Sequence, residues 1–171
     1  MAIILREATR CDIPAIARVH VKTWQTTYRG ILPDEFLKNL SYERRENSWH
    51  QVFENASKDK NFTYVAQNRS GEIVGFANGG LERTGNVVYQ GELNAIYILK
   101  SDQQKGIGRT LYRAVVQRLA QMQIHSMLVW VLEKNPACQF YDIFGGRIID
   151  KKEIEIGGTN LAEIAYGWIY K

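Results

Sequence analysis

Residues 91–122 read GELNAIYILKSDQQKGIGRTLYRAVVQRLAQM, and the pattern of this stretch decides the fold. Its first part ends in an apolar segment at 93–99 that is typical of a strand. Two glycines, Gly106 and Gly108, follow in a polar turn. Apolar side chains then recur every three or four residues, at Ile107, Leu111, Ala114, Val115, Leu119 and Met122. This spacing predicts an amphipathic helix over 106–122.

The rest of the chain surrounds this unit with further strands and helices. Patterns predict strands at 3–5, 62–67, 73–81, 126–132, 148–156 and 161–170, a helix capped by Asp12, and helices at 34–40, 42–54 and 136–144. The continuous apolar run at 126–132 is typical of a strand buried on both faces. This order predicts one α/β domain over residues 1–171. We expect a single mixed, mostly antiparallel central sheet flanked by helices, with a strand–helix–strand crossover in its second half.

Composition excludes several classes of protein. The chain has 171 residues, 45% of them hydrophobic and 23% charged, as in ordinary globular domains. No apolar run approaches the roughly 18 residues of a membrane span, so no membrane association is expected. Two cysteines, Cys11 and Cys138, make no disulfide framework, and three scattered histidines show no metal-ligand spacing. We therefore expect a cytoplasmic protein without a metal.

The net charge of +4 is concentrated in one segment. Between Lys100 and Arg118 there are five basic residues and one acid, Asp102, so this segment carries the whole excess. A local excess of this kind suits a ligand that bears phosphate groups. A solvated basic helix face is the alternative. Nucleic-acid binding is disfavoured, because the chain has no basic run and its remaining charges balance.

The glycine loop at 103–109 favours a pyrophosphate site. Glycine lets the backbone approach a ligand closely, and the start of a helix presents free N–H groups and a partial positive charge. A Walker loop is excluded by its spacing, which does not occur here. A dinucleotide fingerprint is disfavoured, because it needs a small residue where Leu111 stands. Two glycines alone are also compatible with a purely structural turn.

Several motifs together resemble the GCN5-related N-acetyltransferases. Gln-x-x-Gly-x-Gly at 103–108 resembles the acetyl-CoA loop of that family. The segments Arg6-Glu-Ala-Thr-Arg-Cys-Asp12, Asn135-Pro-Ala-Cys-Gln-Phe-Tyr141 and Gly145-Gly146 are similar to family motifs in the same order. The resemblance covers essentially the whole chain. It implies an acyl-CoA N-acyltransferase fold, with acetyl-CoA as the co-substrate.

The resemblance also implies where the co-substrate binds. Backbone groups of Ile96, Tyr97 and Ile98 would bond the pantetheine arm like a missing strand. The amide of Asn135 would bond the pantetheine as well. The pyrophosphate would lie on the loop that Gln103 opens, over the backbone amides of Gln104, Lys105, Gly106, Ile107, Gly108 and Arg109.

Two residues are candidates for the acid–base chemistry of acetyl transfer. Glu92 lies eleven residues before Gln103, as the catalytic glutamate does in histone-acetylating members of the family. Strand alternation places Glu92 on one face with Asn94, Ile96 and Ile98, so Asn94 could hold a water or the amine. Tyr141 stands where the family keeps its general-acid tyrosine. The alternatives are a solvated strand residue for Glu92 and a core aromatic for Tyr141.

The acceptor is expected to be a primary amine that attacks directly in a ternary complex. Trp24 and Tyr28 could offer their faces to a cationic amine, although Trp24 also fits the core. The stretch around them resembles bacterial polyamine acetyltransferases, which favours a small amine or polyamine over a protein amine. A CoA-binding sensor without turnover is the alternative function. A homodimer stays open, because the exposed closing hairpin could pair.

Overall fold

The computed structural model describes residues 2–171. Its strands are β1 (Ile4–Glu7), β2 (Phe62–Gln67), β3 (Ile73–Leu81), β4 (Gly91–Ile98), β5 (Ser126–Leu132), β6 (Arg147–Ile156) and β7 (Thr159–Ile169). Its helices are α1 (Ile13–Thr27), α2 (Asp34–Lys38), α3 (Tyr42–Glu54), α4 (Ala56–Asp59), α5 (Ile107–Gln121) and α6 (Ala137–Ile143).

The strands form one seven-stranded sheet in the order β1-β2-β3-β4-β5-β7-β6. Only β4 and β5 run parallel, and α5 provides the crossover between them. All other neighbours are antiparallel. The predicted fold class is therefore confirmed: a single mixed, mostly antiparallel sheet flanked by helices.

Apolar side chains cover both faces of the sheet. On one face, α5 and α6 bury Leu111, Val115 and Leu119 against the sheet. On the other face, α1 and α3 bury residues such as Ile16 and Trp49 against β2 and β3. A third, smaller cluster lies beneath α2 and the loop before it, around Leu32, Leu37 and Leu132.

Two local predictions differ from the structure. Asp12 does not cap α1 with its side chain; its carboxylate instead accepts from the Thr9 backbone N–H at 2.8 Å and pairs with Arg6 at 2.8 Å. The carboxylate thus closes a 3₁₀ turn at Arg10–Asp12 that precedes the helix. The four-residue helix α4 was not predicted, because one helical turn is too short to show a periodic apolar pattern.

The parallel pair β4–β5 is unusually short. Pairing is limited to Gly91 with Met127 and Glu92 with Leu128, after which the two strands separate. Close packing fixes this junction: a Cβ at Gly91 would lie 2.8 Å from Leu119 Cδ1 and from the Ser126 carbonyl oxygen. Beyond Glu92, β4 keeps only β3 as a paired neighbour. A wedge-shaped gap therefore opens in the middle of the sheet.

A β-bulge in β4 lies at the point where the gap opens. Gly79 of β3 pairs with Leu93, and the preceding Asn78 pairs with Ala95, so Asn94 is the extra residue. The bulge reverses the alternation of side chains that follows it. Leu93, Ile96 and Ile98 all pack on the α5 side. The expectation that Glu92 and Asn94 share a face with Ile96 and Ile98 is therefore wrong: Glu92 and Asn94 face the α1 side.

Candidate active site

The exposed edge of β4 offers backbone groups to the gap. Leu99 N–H donates to the Val74 carbonyl of β3 at 2.9 Å. Because hydrogen-bonding direction alternates along an antiparallel strand, the backbone groups of Ile96 and Ile98 point away from β3, into the gap. The side-chain amide of Gln103 donates to the Ile98 carbonyl there at 2.9 Å. The edge from Ile96 to Ile98 can therefore pair with an extended ligand.

Tyr97 differs from its predicted role. By the same alternation, its backbone faces β3 rather than the gap. Its side chain lies on the α1 side, where the ring stacks on His20 with centroids 4.8 Å apart. The structure thus corrects the expectation of a backbone contact to pantetheine and places the Tyr97 phenol on the other side of the sheet.

The glycine loop has the geometry of an anion site. Gln104 and Gly106 have φ of 62° and 85°, in the left-handed region, so the backbone turns sharply before α5. None of the backbone N–H groups from 104 to 109 donates to another described residue. A Cβ at Gly106 would meet nothing within 4 Å, whereas the buried side chain of Ile107 anchors the turn. These unpaired amides at a helix N-terminus suit a pyrophosphate.

The charges around this loop are fewer than the sequence predicted. Lys105 and Arg109 lie on the turn and are exposed, although Lys105 also approaches Asp102 at 3.7 Å. Arg118 lies near the far end of α5, where it pairs with Glu7 at 3.6 Å and covers the Phe62 ring. The electrostatic attraction at the loop therefore comes from the helix start and from the basic residues of the first turns of α5.

Asn135 and Tyr141 lie at the start of α6 and on it, directly after β5. The side-chain oxygen Oδ1 of Asn135 accepts from the Ala137 N–H at 2.9 Å and thus caps the helix start, while its side-chain amide donates to the Tyr28 hydroxyl at 3.0 Å. Tyr141 is only 3% exposed, and its ring packs against Tyr166 and Trp168. No described side chain hydrogen-bonds its hydroxyl. Asn135 thus joins α6 to the loop after α1.

Burial controls the ionisation of Tyr141. Desolvation raises its pKa well above the ordinary value, and the nearby hydroxyls of Tyr97 and Tyr28 raise it further. The phenol therefore stays protonated through neutral and alkaline pH. It can donate a hydrogen bond to a developing anion in the gap.

Trp24 and Tyr28, the two aromatic residues predicted to contact the acceptor, lie together and are called the aromatic wall below. Trp24 and Tyr28 pack edge to face with centroids 4.9 Å apart, and Trp24 Nε1 donates to the Tyr97 hydroxyl at 3.2 Å. Trp24 is half-buried, whereas Tyr28 is buried and its pKa is raised by desolvation. The guanidinium of Arg45 lies 5.8 Å from the centre of the Trp24 ring. These side chains line the α1 side of the gap.

Glu92 is held by an arginine that sequence reasoning missed. Its side chain is buried, and both carboxylate oxygens bond the Arg83 guanidinium, at 2.7 and 3.2 Å. The Arg83 backbone N–H adds a third bond at 3.2 Å. The alternative of a solvated strand residue is therefore excluded. Nothing in the sequence marks this pair, because Arg83 belongs to the β3–β4 loop.

Asn94 presents an unpaired oxygen on the same side. Its amide donates to Asn78 Oδ1 at 3.0 Å, within a polar cluster that includes Asn61 and Thr63. Its own Oδ1 is buried and has no partner among the described residues. A buried carbonyl without a partner is costly, so this atom is suited to accept from a ligand N–H or a water.

The remaining reactive side chains do not form a second site. Cys138 Sγ approaches the Leu132 carbonyl at 3.5 Å, and burial raises the pKa of this thiol, which disfavours a nucleophilic role. Among residues 2–171, no group of three or more His, Cys, Asp or Glu side chains is placed to hold a metal ion. None of the helices described here is long and apolar enough to cross a bilayer.

Comparison with known proteins identifies the family. The model of the acetyltransferase (GNAT) family matches residues 22–145, which include the β4–β5 gap, the glycine loop and α6. The chain belongs to this family. It is 38% identical over 166 residues to the "Uncharacterized N-acetyltransferase YuaI" of Bacillus subtilis (strain 168), covering 97% of this chain and 92% of that protein. Membership makes the chain an N-acetyltransferase, and the resemblance inferred from its motifs is confirmed.

Solved structures of GNAT proteins share the whole fold. The PaiA N-acetyltransferase of Thermoplasma acidophilum, in complex with coenzyme A, superposes with a TM-score of 0.80 at 19% identity, covering 99% of this chain and 100% of that chain. YncA of Salmonella typhimurium, a structure with acetyl-CoA, gives 0.74 at 18% identity, covering 100% and 95%. At these identities the likeness shows the fold.

The buried His20, which stacks on Tyr97 beside the aromatic wall, leads to a prediction about stability in acid. His20 accepts from Trp49 Nε1 at 3.1 Å, and burial together with the nearby Arg45 lowers its pKa to about 3. In the unfolded chain the His20 imidazole binds a proton near pH 6.5, whereas in the folded chain it stays neutral down to about pH 3. The contribution of neutral His20 to the free energy of unfolding should therefore be fully present above pH 6.5. It should be lost as the pH falls toward 3, by up to about 1.4 kcal/mol per pH unit.

His20→Gln should flatten this pH dependence, because Gln can accept from Trp49 but does not titrate. Urea unfolding at several pH values measures the slope, and His125→Gln, which removes an exposed imidazole, is the matched control. Parallel curves for wild type and His20→Gln would show that the imidazole does not cause the slope.

Proposed function

We propose that the chain transfers an acetyl group from acetyl-CoA to a primary amine by direct attack in a ternary complex. The observation that carries this proposal is the gap between β4 and β5, along which the Ile96–Ile98 edge of β4 has no neighbouring strand. The Tyr141 phenol, on the helix that follows β5, stays protonated and supports the proposal. When bound, acetyl-CoA supplies the activated acetyl group, and coenzyme A is then released as a thiolate. The residues of the chain bind it, orient the amine and move protons.

The proposed binding of the co-substrate rests on two free surfaces. The Ile96 and Ile98 backbone would pair with the pantetheine amides in the way a neighbouring strand does. The amides at 104–109 would hold the pyrophosphate, with Lys105 and Arg109 adding charge. Asn135 has one amide hydrogen in use toward Tyr28, so its second hydrogen is available to pantetheine.

Tyr141 is proposed as the proton donor to the departing thiolate. Tyr141 lies on α6, the helix that follows β5, and its hydroxyl remains protonated and has no described partner that would compete. Its raised pKa makes full proton transfer less favourable, so its first contribution is a hydrogen bond to the negative charge as that charge develops.

Glu92 is proposed to relay the proton of the amine, through a water that Asn94 Oδ1 can hold. An alkylamine with a pKa near 10.4 is only about 1 part in 2,500 neutral at pH 7, which costs about 4.6 kcal/mol. Glu92 lies where the gap begins, on the same side as Asn94 and the aromatic wall. Both of its carboxylate oxygens are bonded to Arg83, so the relay requires that this pair loosens.

The acceptor is proposed to be a small amine or polyamine, and a protein or peptide amine comes second. A panel assay of free-thiol release with amines, amino acids, aminoglycosides and N-terminal peptides tests this proposal. Release that requires a small primary amine supports it. Release only with peptides would move the acceptor to the second class.

Gly106→Asp should lower the affinity for coenzyme A at least tenfold, about 1.4 kcal/mol. The carboxylate would repel phosphates at the loop, and a side chain at φ 85° adds strain. Gly106→Asn carries similar strain without charge and should lose less. Gly85→Asp, at φ 79° and with open space around it, is the control for a charged side chain at a left-handed position. Calorimetry gives the affinities, and an unchanged value in folded Gly106→Asp rules the site out.

Tyr141→Phe should lower kcat about 100-fold or more while the affinity for coenzyme A is kept, because only the donor hydroxyl is lost. Steady-state thiol release at saturating acetyl-CoA measures kcat. Tyr112→Phe is the matched control, since it removes a buried phenol on α5 that bonds Tyr170 instead. A kcat within twofold of wild type in Tyr141→Phe assigns the proton to another group.

Glu92→Gln should lower kcat/KM most near pH 7 and less as the pH approaches the pKa of the amine, where solution supplies neutral amine. Arg83→Gln separates this role from loop anchoring: it breaks the same ion pair but leaves the carboxylate. If Glu92 is the relay, Arg83→Gln keeps the activity at pH 7. Equal losses in both variants at pH 7 and pH 9.5 would show that the pair only holds the β3–β4 loop.

A further inference from the structure

We infer that Arg45 binds a carboxylate of the acceptor, so that the acceptor is a small amine which also carries a negative charge. This inference rests on the proposed function and names the substrate class of the same site. It favours amino-acid-like acceptors over polyamines, which carry positive charges only.

Arg45 is a half-buried cation without an anionic partner. It lies in the first turns of α3, and no carboxylate of the described residues is within ion-pair distance of it. No described side chain or carbonyl accepts a hydrogen bond from its guanidinium. Burial lowers its pKa, which shows that part of its hydration is lost. A guanidinium that loses water without gaining an acceptor is costly, so an anion is expected to complete the site.

Two other arginines at the sheet, the partly buried Arg6 and the exposed Arg83, are paired with carboxylates. Arg6 forms a two-pronged pair with Asp12, with N–O distances of 2.8 and 2.9 Å. Arg83 forms a similar pair with Glu92. The half-buried Arg18 has no carboxylate partner either, but it donates to the Ile73 carbonyl at 3.2 Å. Arg45 has neither kind of acceptor among the described residues, and its planar fork of donors fits the two oxygens of a carboxylate.

Arg45 lies where it can contact the acceptor. Its guanidinium covers the Trp24 ring, and Trp24 bonds the Tyr97 hydroxyl. The charge of Arg45 lowers the pKa of both His20 and Tyr97, which places it beside the aromatic wall. Trp24 also packs against Tyr28, whose hydroxyl accepts from Asn135 just before the helix that carries Tyr141. One small molecule can therefore present its amine toward Tyr141 and its carboxylate toward Arg45.

An open groove leads to Arg45 from solvent. A groove of about 480 Å³ lies between α2 and α3, and Arg44 and Arg45 are among the side chains that line it. Glu35 is the acid that lines the groove, and one of its oxygens already accepts from the Asn39 amide at 3.4 Å. The local excess of positive charge attracts an anionic group and repels a second ammonium.

The experiment compares acceptors that differ only in the carboxylate. Thiol release is measured for L-leucine, L-phenylalanine and 4-aminobutyrate, each beside its decarboxylated amine: 3-methylbutylamine, 2-phenylethylamine and propylamine. Spermidine is included. Wild type, Arg45→Gln and Arg45→Lys are compared, with Arg44→Gln as the matched control on the same groove. Calorimetry with coenzyme A verifies that each variant is folded.

The decisive quantity is the ratio of kcat/KM for the carboxylated amine to kcat/KM for its decarboxylated partner, compared between wild type and each variant. The two amines differ in pKa, but this difference affects wild type and variant equally and cancels in the comparison. We expect at least one carboxylated member to be preferred at least tenfold by wild type. Arg45→Gln should lower its kcat/KM at least tenfold through KM, leaving kcat and the decarboxylated partner within twofold. Arg45→Lys should restore part of the preference, and Arg44→Gln should keep the wild-type ratio.

Turnover confined to spermidine and the decarboxylated amines overturns the inference and leaves the proposed function standing. A ratio of kcat/KM within each pair that is the same in wild type and Arg45→Gln also overturns the inference and leaves the proposed function standing. If no member of the panel releases thiol, both the proposed function of a small-amine transferase and the inference are contradicted.

Discussion

The separation of β4 from β5 after one short parallel contact is the constraint on which the rest of the structure depends. At Gly91 the strands approach so closely that a Cβ would lie 2.8 Å from a carbonyl of β5. After Glu92 they no longer pair. The backbone groups of Ile96 and the N–H of Ile98, which a complete sheet would satisfy, remain available, while the Ile98 carbonyl accepts from the Gln103 side chain. An unpaired edge in the middle of a sheet costs free energy unless a ligand or water fills it, so this gap is the natural position for an extended ligand.

The bulge at Asn94 gives the gap two chemically different sides. On the α5 side, Ile96 and Ile98 pack into the core and leave only backbone toward the gap. On the α1 side, the Tyr97 phenol bonds Trp24 of α1, while Asn94 bonds Asn78 and Glu92 bonds Arg83. Because one residue is inserted, polar and apolar side chains change faces within a single strand. The hydrogen bond from Asn135 to Tyr28 then ties the loop after α1 to α6, so both walls are held in fixed relation.

Much of this architecture was predictable from the sequence, and the reason is local. Strands β2, β3 and β5 and helix α3 have the predicted bounds, because their apolar periods and flanking turns depend on near neighbours in the chain. The glycine loop was predictable for the same reason: left-handed φ at Gly106 and the start of α5 are encoded within a few residues. By contrast, the alternation drawn through Glu92 and Ile96 failed, because no residue type at 94 announces a bulge. The registers of β3 and β4 determine it.

By itself, the sequence determined the order of the strands and of the longer helices, the fold class, the family and the position of the glycine loop. Each of these follows from patterns between residues close in the chain, or from motifs in a fixed order. Only the tertiary structure decided that Arg83 pairs with Glu92, that Arg118 is directed away from the loop, and that Arg45 is left without a carboxylate. Charges act through space, and their partners come from distant segments. The composition therefore shows how many charges there are, while the fold decides which of them are neutralised and which remain for a ligand.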